Sequence, residues 1–197
     1  MGCLELAKQR LPEVFSYKMA VDTGMPKSQL YRLRDEGSIE LIDQGLYRFT
    51  DEELPHDLDL IAISQRAPSA TLCLTSALAH HDLTDEIPAR IDIAVPRGQH
   101  RPRLRFPIAW HQFDQETFHI GRTDMSIGAQ QHIGIYNAER CIIDAFRLRH
   151  VEGFEIGIGA LQQWLRKPGS SPAALLGMAE SFPRQKSNIR HILEILL

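Results

Sequence analysis

Residues 16–49, SYKMAVDTGMPKSQLYRLRDEGSIELIDQGLYRF, decide how the 197-residue chain is read. Ser16 is a good N-cap for a short helix through Met19, Ala20 and Val21, and Gly24 is a good stop for it. Pro26 suits the first turn of a following helix, Lys27 to Glu36, which Gly37 ends. Two short helices joined by a tight glycine-containing turn have the helix-turn-helix pattern. Ser38-Ile39-Glu40-Leu41-Ile42 and Leu46-Tyr47-Arg48-Phe49 are strand-like, and Asp43-Gln44-Gly45 between them is a short hairpin loop with glycine at a positive φ. A β-hairpin directly after the helix pair makes the order that of a winged helix-turn-helix. Upstream, Leu4, Ala7 and Leu11 share one side of a further short helix that Pro12 stops.

At about 100° per residue, Leu30 and Leu33 define the core side of the Lys27–Glu36 helix. Ser28, Tyr31, Arg32 and Asp35 fall opposite, with Lys27, Gln29 and Arg34 on the flanks. A helix entering a major groove by its N-terminal half places Lys27, Ser28, Gln29 and Arg32 at base edges or neighbouring phosphates, and Tyr31 and Arg34 at the backbone. Arg48 in the wing is a further phosphate contact. The region is formally neutral: Lys8, Arg10, Lys18, Lys27, Arg32, Arg34 and Arg48 balance Glu5, Glu13, Asp22, Asp35, Glu36, Glu40 and Asp43. Neutrality suits DNA reading or protein docking; the gathering of cations on one helix and its wing favours DNA.

The composition bounds the rest. With 22 Lys+Arg against 25 Asp+Glu and a net charge of −3, the chain is no histone-like coat on nucleic acid, although one helix suffices for a local site. Hydrophobic residues make up 43%, enough for one large core or two small ones. Cys3, Cys73 and Cys141 are widely spaced and fit neither a disulfide framework nor a CxxC metal site, so they read as reduced cytosolic thiols. The N-terminus lacks the pattern of a secretory leader, Leu6 stands where myristoylation after Gly2 wants Ser or Thr, and no apolar run reaches the length of a membrane span.

Asp51-Glu52-Glu53-Leu54-Pro55 is the best domain boundary. Beyond it, Asp57 to Gln65 is helical, Thr75 or Ser76 caps a helix through Ala77, Leu78 and Ala79, and Ile91 to Val95 alternates as a strand. Phe106, Ile108 and Trp110 repeat the alternation, and Gln131 to Tyr136 forms another strand. Asn137 caps a helix through Ile142, Ala145 and Phe146. Three helices close the chain: one carries Phe154, Ile158, Leu161 and Leu165, one opens at Ser171-Pro172, and one carries Ile189, Ile192, Leu193 and Leu196.

No HExxH, P-loop or GxSxG motif is present, and no catalytic residue, metal ligand or cofactor is assigned. His80-His81-Asp82 is metal-like in composition, but neighbours on a helix diverge by about 100° and read as a helix end. Asp92 lacks the following Glu-x-Lys of a nuclease centre. Arg97, Arg101, Arg103 and Arg105, with His100, are either a solvated loop or a second basic patch for phosphates or an acidic or RNA-bearing partner. Arg147, Arg149 and His150 read as cations at a helix C-terminus.

The ordered motifs Gln44-Gly45-Leu46-Tyr47-Arg48, Leu74 to Leu83, Ile91 to Gly98 and Tyr136 to Arg147 resemble the AbiEi family, antitoxins and transcriptional regulators of type IV toxin–antitoxin and abortive-infection systems. The resemblance runs along nearly the whole chain, through Trp164-Leu165-Arg166 to the closing leucine-rich helix. It implies an N-terminal winged helix-turn-helix that binds inverted repeats upstream of its own operon and represses it. It also implies a C-terminal domain that counters a co-encoded AbiEii-type nucleotidyltransferase toxin, without requiring a tight complex. The family's DNA-contacting positions fall on Lys27, Ser28, Gln29, Arg32, Arg34 and Arg48; Ser76, His81, Glu139, Arg140 and Asp144 are family signatures without an assigned catalytic role. From the residues alone, Glu139 and Asp144 read as N-terminal helix charge and a local ion pair with Arg140 or Arg147. The expectation is an α+β protein: a winged helix-turn-helix domain over 1–50, a linker over 51–55, and over 56–197 a mixed α/β antitoxin domain with a small sheet and several helices. It is expected to be a non-enzymatic cytoplasmic repressor, bound to double-stranded DNA as a homodimer or as cooperative monomers.

Overall fold

The computed structural model describes residues 3–51, 57–128, 131–148 and 154–197, and within them nine helices and two sheets make a mixed α+β protein. Two compact units are present. One comprises Met1–Pro68, Pro102–Phe106 and Met125–Ile133; the other comprises Ser69–Arg101, Pro107–Asp124 and Gly134–Leu197.

The first unit runs α1 (Cys3–Arg10), β1 (Val14–Ser16), α2 (Tyr17–Asp22), α3 (Lys27–Asp35), β2 (Ile39–Asp43), β3 (Leu46–Phe49) and α4 (Leu58–Arg66). Local signals set its boundaries. The Ser16 hydroxyl accepts from the Met19 N–H at 3.2 Å and caps α2. Gly24 and Gly37, at φ 85° and 73°, end α2 and α3 in the left-handed region that a side chain disfavours. Pro26 is the N-cap of α3 and not part of its first turn. Strands β1, β3 and β2 form an antiparallel sheet in that order, with Val14 opposite Arg48 and Glu40 opposite Arg48 from the other side.

β1 is not anticipated by the sequence reading. It has only three residues, and its partner β3 lies some thirty positions away, so no local periodicity announces it. The Val14 carbonyl on this edge accepts from Gln65 Nε2 and Gln131 Nε2, each at 2.6 Å, so two side chains from distant segments cover it. Phe15 packs on Phe49 and Tyr47, with ring centres 5.2 and 6.0 Å away, and Leu11, Leu30, Leu33 and Ile39 complete the core.

The second unit contains β4 (Thr71–Leu72), α5 (Leu74–His80), β5 (Ile91–Pro96) and β6 (Ile108–Phe113), then α6 (Ala138–Arg147), α7 (Phe154–Arg166), α8 (Pro172–Ala179) and α9 (Pro183–Leu196). With β7 (Arg122–Ser126) and β8 (His132–Tyr136), the sheet order is β6-β5-β4-β8-β7. β4 is antiparallel to β5 and parallel to β8, and β5 is parallel to β6. β7 escapes sequence reading because Arg122-Thr-Asp-Met-Ser has no apolar alternation. Its anchor is Arg122, whose Nε donates to Thr71 Oγ1 at 2.9 Å over the space that a side chain at residue 134 would fill.

Helix α5 corrects the expected cap. Its N-cap is Cys73, which makes no side-chain cap bond, and Leu74 enters the helix at φ 46°. The Cys73 N–H is already bound to the Asp92 carbonyl at 3.0 Å, which sets the helix start ahead of Thr75 and Ser76. The Ser76 hydroxyl serves the sheet instead, accepting from the Asp92 N–H at 2.8 Å.

Helix α6 is capped by Asn137, whose side chain accepts from the Arg140 N–H at 3.0 Å. It packs against α5, α7, α8 and α9. Arg140 is fully buried: Nε donates to Asp144 at 2.8 Å, and Nη1 donates to the carbonyls of Thr117 and Ile120 at 2.6 and 2.7 Å. Its guanidinium lies 4.4 Å from the Tyr136 ring centre and 4.6 Å from that of Phe182. Arg147 reaches the other Asp144 oxygen at 3.1 Å, so the local ion pairing expected of Asp144 is present with both arginines. Arg149 and His150 lie outside the described residues, as do residues 52–55 of the expected linker. Cys73 and Cys141 are buried and not disulfide-bonded.

Candidate nucleic-acid interface

Burial divides α3 along the line its periodicity draws. Leu30 and Leu33 are in the core, Lys27, Ser28, Tyr31, Arg32 and Arg34 are exposed, and Gln29 is half-buried. One part of the exposed face is built around Tyr31. Lys27 Nζ lies 5.4 Å and the Arg34 guanidinium carbon 4.9 Å from its ring centre, so both cations lean on one aromatic face. Exposed Tyr17 and the core residue Tyr47 belong to the same neighbourhood, and burial pushes the Tyr47 phenol up, keeping it neutral. Gln29 and Arg32 instead line a cleft of about 450 Å³ with Arg10, Thr23 and Met25. The helix thus offers a cation–aromatic strip and an amide–guanidinium edge, the two donor types that read base edges and hold phosphates.

Each candidate arginine already has an acidic neighbour. Arg34 makes two hydrogen bonds to Asp35 at 2.8 and 3.1 Å, and Asp35 holds the guanidinium above its ordinary pKa. Arg32 lies 3.6 Å from Glu36, one helical turn on. Arg48 is half-buried, donates to Glu40 across the β2–β3 hairpin, and sends Nη1 to the Phe49 carbonyl at 3.5 Å. The Arg32 and Arg34 pairs are exposed and screened by solvent, so a phosphate can displace them. Arg48 is the most constrained of the set.

The basic segment separates. Arg97 belongs to the second unit, 3.8 Å from Asp114. Arg105 belongs to the first, where it approaches the buried Asp43 at 3.7 Å beside the hairpin loop. Arg101 and Arg103 are exposed. Sequence reading missed Arg66, whose Nη2 donates to the Gln44 carbonyl of that loop at 2.7 Å. Its only local signal is a cation in the last turn of α4, which a helix dipole explains as well.

The remaining singled-out residues lie in the second unit. His81 Nε2 donates to the Tyr136 carbonyl at 2.7 Å, which fixes its tautomer. Burial holds its pKa below the ordinary histidine value. His80 meets His81 edge to face at 5.5 Å, and Asp82 leaves the helix at φ 51°. Among the described residues no three histidine, cysteine or acidic side chains are placed to hold a metal ion, and no helix is long and apolar enough to cross a membrane. Asp92 is buried and bound by His111 Nε2 at 2.9 Å, a contact between neighbouring strands that sequence spacing does not reveal.

The crystal structure of the RV2827C protein from Mycobacterium tuberculosis superposes with a TM-score of 0.60 at 14% identity, over 97% of this chain and 74% of that one. That likeness is one of fold. No curated protein sequence matches the chain. Residues 4–50 match the family model described as a transcriptional regulator, AbiEi antitoxin, over the stretch that contains α1 to β3. Over residues 4–50, therefore, this chain is similar to the AbiEi antitoxin transcriptional regulators.

Proposed function

We propose that the chain is a DNA-binding transcriptional autorepressor and the antitoxin of a type IV toxin–antitoxin system, acting against an AbiEii-type nucleotidyltransferase. The observation that carries this reading is the match of residues 4–50 to the AbiEi regulators, over a segment whose third helix turns Lys27, Ser28, Tyr31, Arg32 and Arg34 outward. In this reading residues 1–50 are a winged helix-turn-helix, with α3 as recognition helix and the β2–β3 hairpin as wing, residues 51–55 are a linker, and residues 56–197 are the antitoxin domain. Lys27, Ser28, Gln29 and Arg32 address base edges and nearby phosphates; Tyr31, Arg34 and Arg48 address the backbone, and Arg97, Arg101, Arg103 and Arg105 are candidates for further phosphate contact. The protein works in the cytoplasm, without catalysis of its own, on inverted repeats of its operon. Two copies bind there as a dimer or cooperatively.

Gel shifts with the upstream DNA test the docking. Arg32→Ala weakens binding and relaxes base preference, whereas Arg48→Ala lowers affinity on all sequences and reduces the salt slope by about one. Unchanged shifts for both variants overturn it. Co-expression with the neighbouring nucleotidyltransferase tests the antitoxin role, and failure to restore growth counts against it. A second reading, a winged-helix adaptor that docks protein and not DNA, is favoured by the pairing of Arg32, Arg34 and Arg48 with Glu36, Asp35 and Glu40. It predicts no salt-dependent binding to any duplex and a stoichiometric complex on gel filtration.

A further inference from the structure

Strands β5 and β6 run parallel, and their carboxyl ends meet at a cleft of about 430 Å³ within the second unit. Ligands of open sheets seat beyond the carboxyl ends of parallel strands, and this volume is in the range of small-molecule sites. The cleft draws its two arginines from the end of β5 and the end of α6.

Arg97 follows β5. Its backbone is fixed: the N–H donates to the Phe113 carbonyl at 2.7 Å, and its own carbonyl accepts from Gln115 Nε2 at 3.2 Å. Gly98, at φ 88°, completes a turn closed by the Gln99 N–H on the Pro96 carbonyl at 3.1 Å. The Arg97 side chain is 69% exposed, and its contact with Asp114 at 3.8 Å is too long and too wet to hold it. Arg147, at the end of α6, is held firmly. Its guanidinium lies 4.3 Å from the Phe113 ring centre and 3.1 Å from Asp144, with 22% of the side chain open to solvent. On β6, His111 Nε2 donates to Asp92 at 2.9 Å.

Two arginines therefore line one recess. Asp92 and Asp144 are each engaged by a basic side chain behind it, so Asp114 is the one weakly held carboxylate on its lining. A carboxylate ligand has two acceptor atoms in one plane. A phosphoryl group carries three in a pyramid and up to two charges, which matches two guanidiniums arriving from separate elements. We propose that this cleft binds the phosphoryl group of a small molecule, with Arg97 and Arg147 as the clamp.

Isothermal titration of the full-length chain with pyrophosphate, the four nucleoside triphosphates and the corresponding nucleosides tests this. Saturable one-to-one binding of pyrophosphate or a triphosphate, with no binding of the nucleosides, is expected. Equal affinity for pyrophosphate and triphosphates identifies the phosphoryl group as the whole determinant; tighter triphosphate binding adds a contact to the nucleoside. Arg97→Gln, at an exposed position that leaves the melting temperature unchanged, weakens binding about tenfold or more. Asp114→Asn removes the competing carboxylate and tightens it. The proposal is overturned by absence of saturable binding up to about 5 mM ligand, by nucleosides binding as well as triphosphates, or by Arg97→Gln binding as well as the parent chain.

Discussion

Replacing Arg140 with Met exposes how the second unit is held together. The wild-type guanidinium is wholly buried and donates to Asp144 and to the carbonyls of Thr117 and Ile120, so it ties α6 to the loop that precedes β7. Met fills much of the space between Tyr136 and Phe182 but offers no donor. The Ile120 carbonyl loses its guanidinium bond, the Thr117 carbonyl keeps only the Ile120 N–H at 3.2 Å, and Asp144 retains only Arg147 at 3.1 Å. Breaking a buried pair in this way costs about 3–5 kcal/mol, because the desolvated partner stays behind. For a protein of this size that is a fall of about 6–20 °C in melting temperature. Urea unfolding followed by Trp164 fluorescence reads the loss, since Trp164 is buried on α7 beside α6. The double variant Arg140→Met/Asp144→Leu removes the stranded carboxylate and recovers part of the stability. A single variant that loses less than about 1 kcal/mol, or a double variant no better than the two singles added, refutes the reasoning.

Three further outcomes follow from the same geometry. Gly121→Ala forces a Cβ to 2.7 Å from both Arg140 Cβ and Asn137 Oδ1 at a φ of 71°, and is expected to destabilise by about 2 kcal/mol or more in thermal melts. His81 is held neutral by burial, so its pKa is lower folded than unfolded; the unfolded chain takes up the proton first as pH falls. Stability should therefore decline below about pH 6.5, with His81→Asn flattening that decline in urea titrations at several pH values. Glu40→Gln releases Arg48 from its cross-hairpin partner. If Arg48 meets a phosphate, this variant shifts operator DNA at lower protein concentration, and an unchanged shift removes Arg48 from the contact list.

What the sequence discloses about the fold depends on how local each cause is. Ser16, Gly24, Gly37 and Gly45 act on their own backbone, so the helix pair and hairpin can be read directly. Leu30 and Leu33 mark the buried side of α3 because helical periodicity is a property of a single segment. β1 and β4 have three and two residues and exist through their partners. β7 is polar and owes its place to pairing with β8, with Arg122 reaching Thr71. Asp144 could be matched to Arg140 and Arg147 because they lie one helical turn away. The same logic could not find Asp92 with His111, or Arg66 with the Gln44 carbonyl, since those contacts cross between elements. Nor does a list of basic residues show which are engaged: Arg48 reads as a free wing cation until its opposite number on β2 is seen to be Glu40.

The first unit is assembled from three separate stretches of chain, and the carbonyl of Val14 is covered by glutamines 51 and 117 positions downstream. During synthesis, the N-terminal helices and hairpin emerge long before Gln131 does. A nascent chain halted before that residue exposes the β1 edge with at least one of its two glutamines missing, in a form that invites pairing with another strand. Completion of the first unit is thereby tied to translation beyond residue 131, and a fragment cut at residue 50 is a different physical object from the same residues in the longer chain.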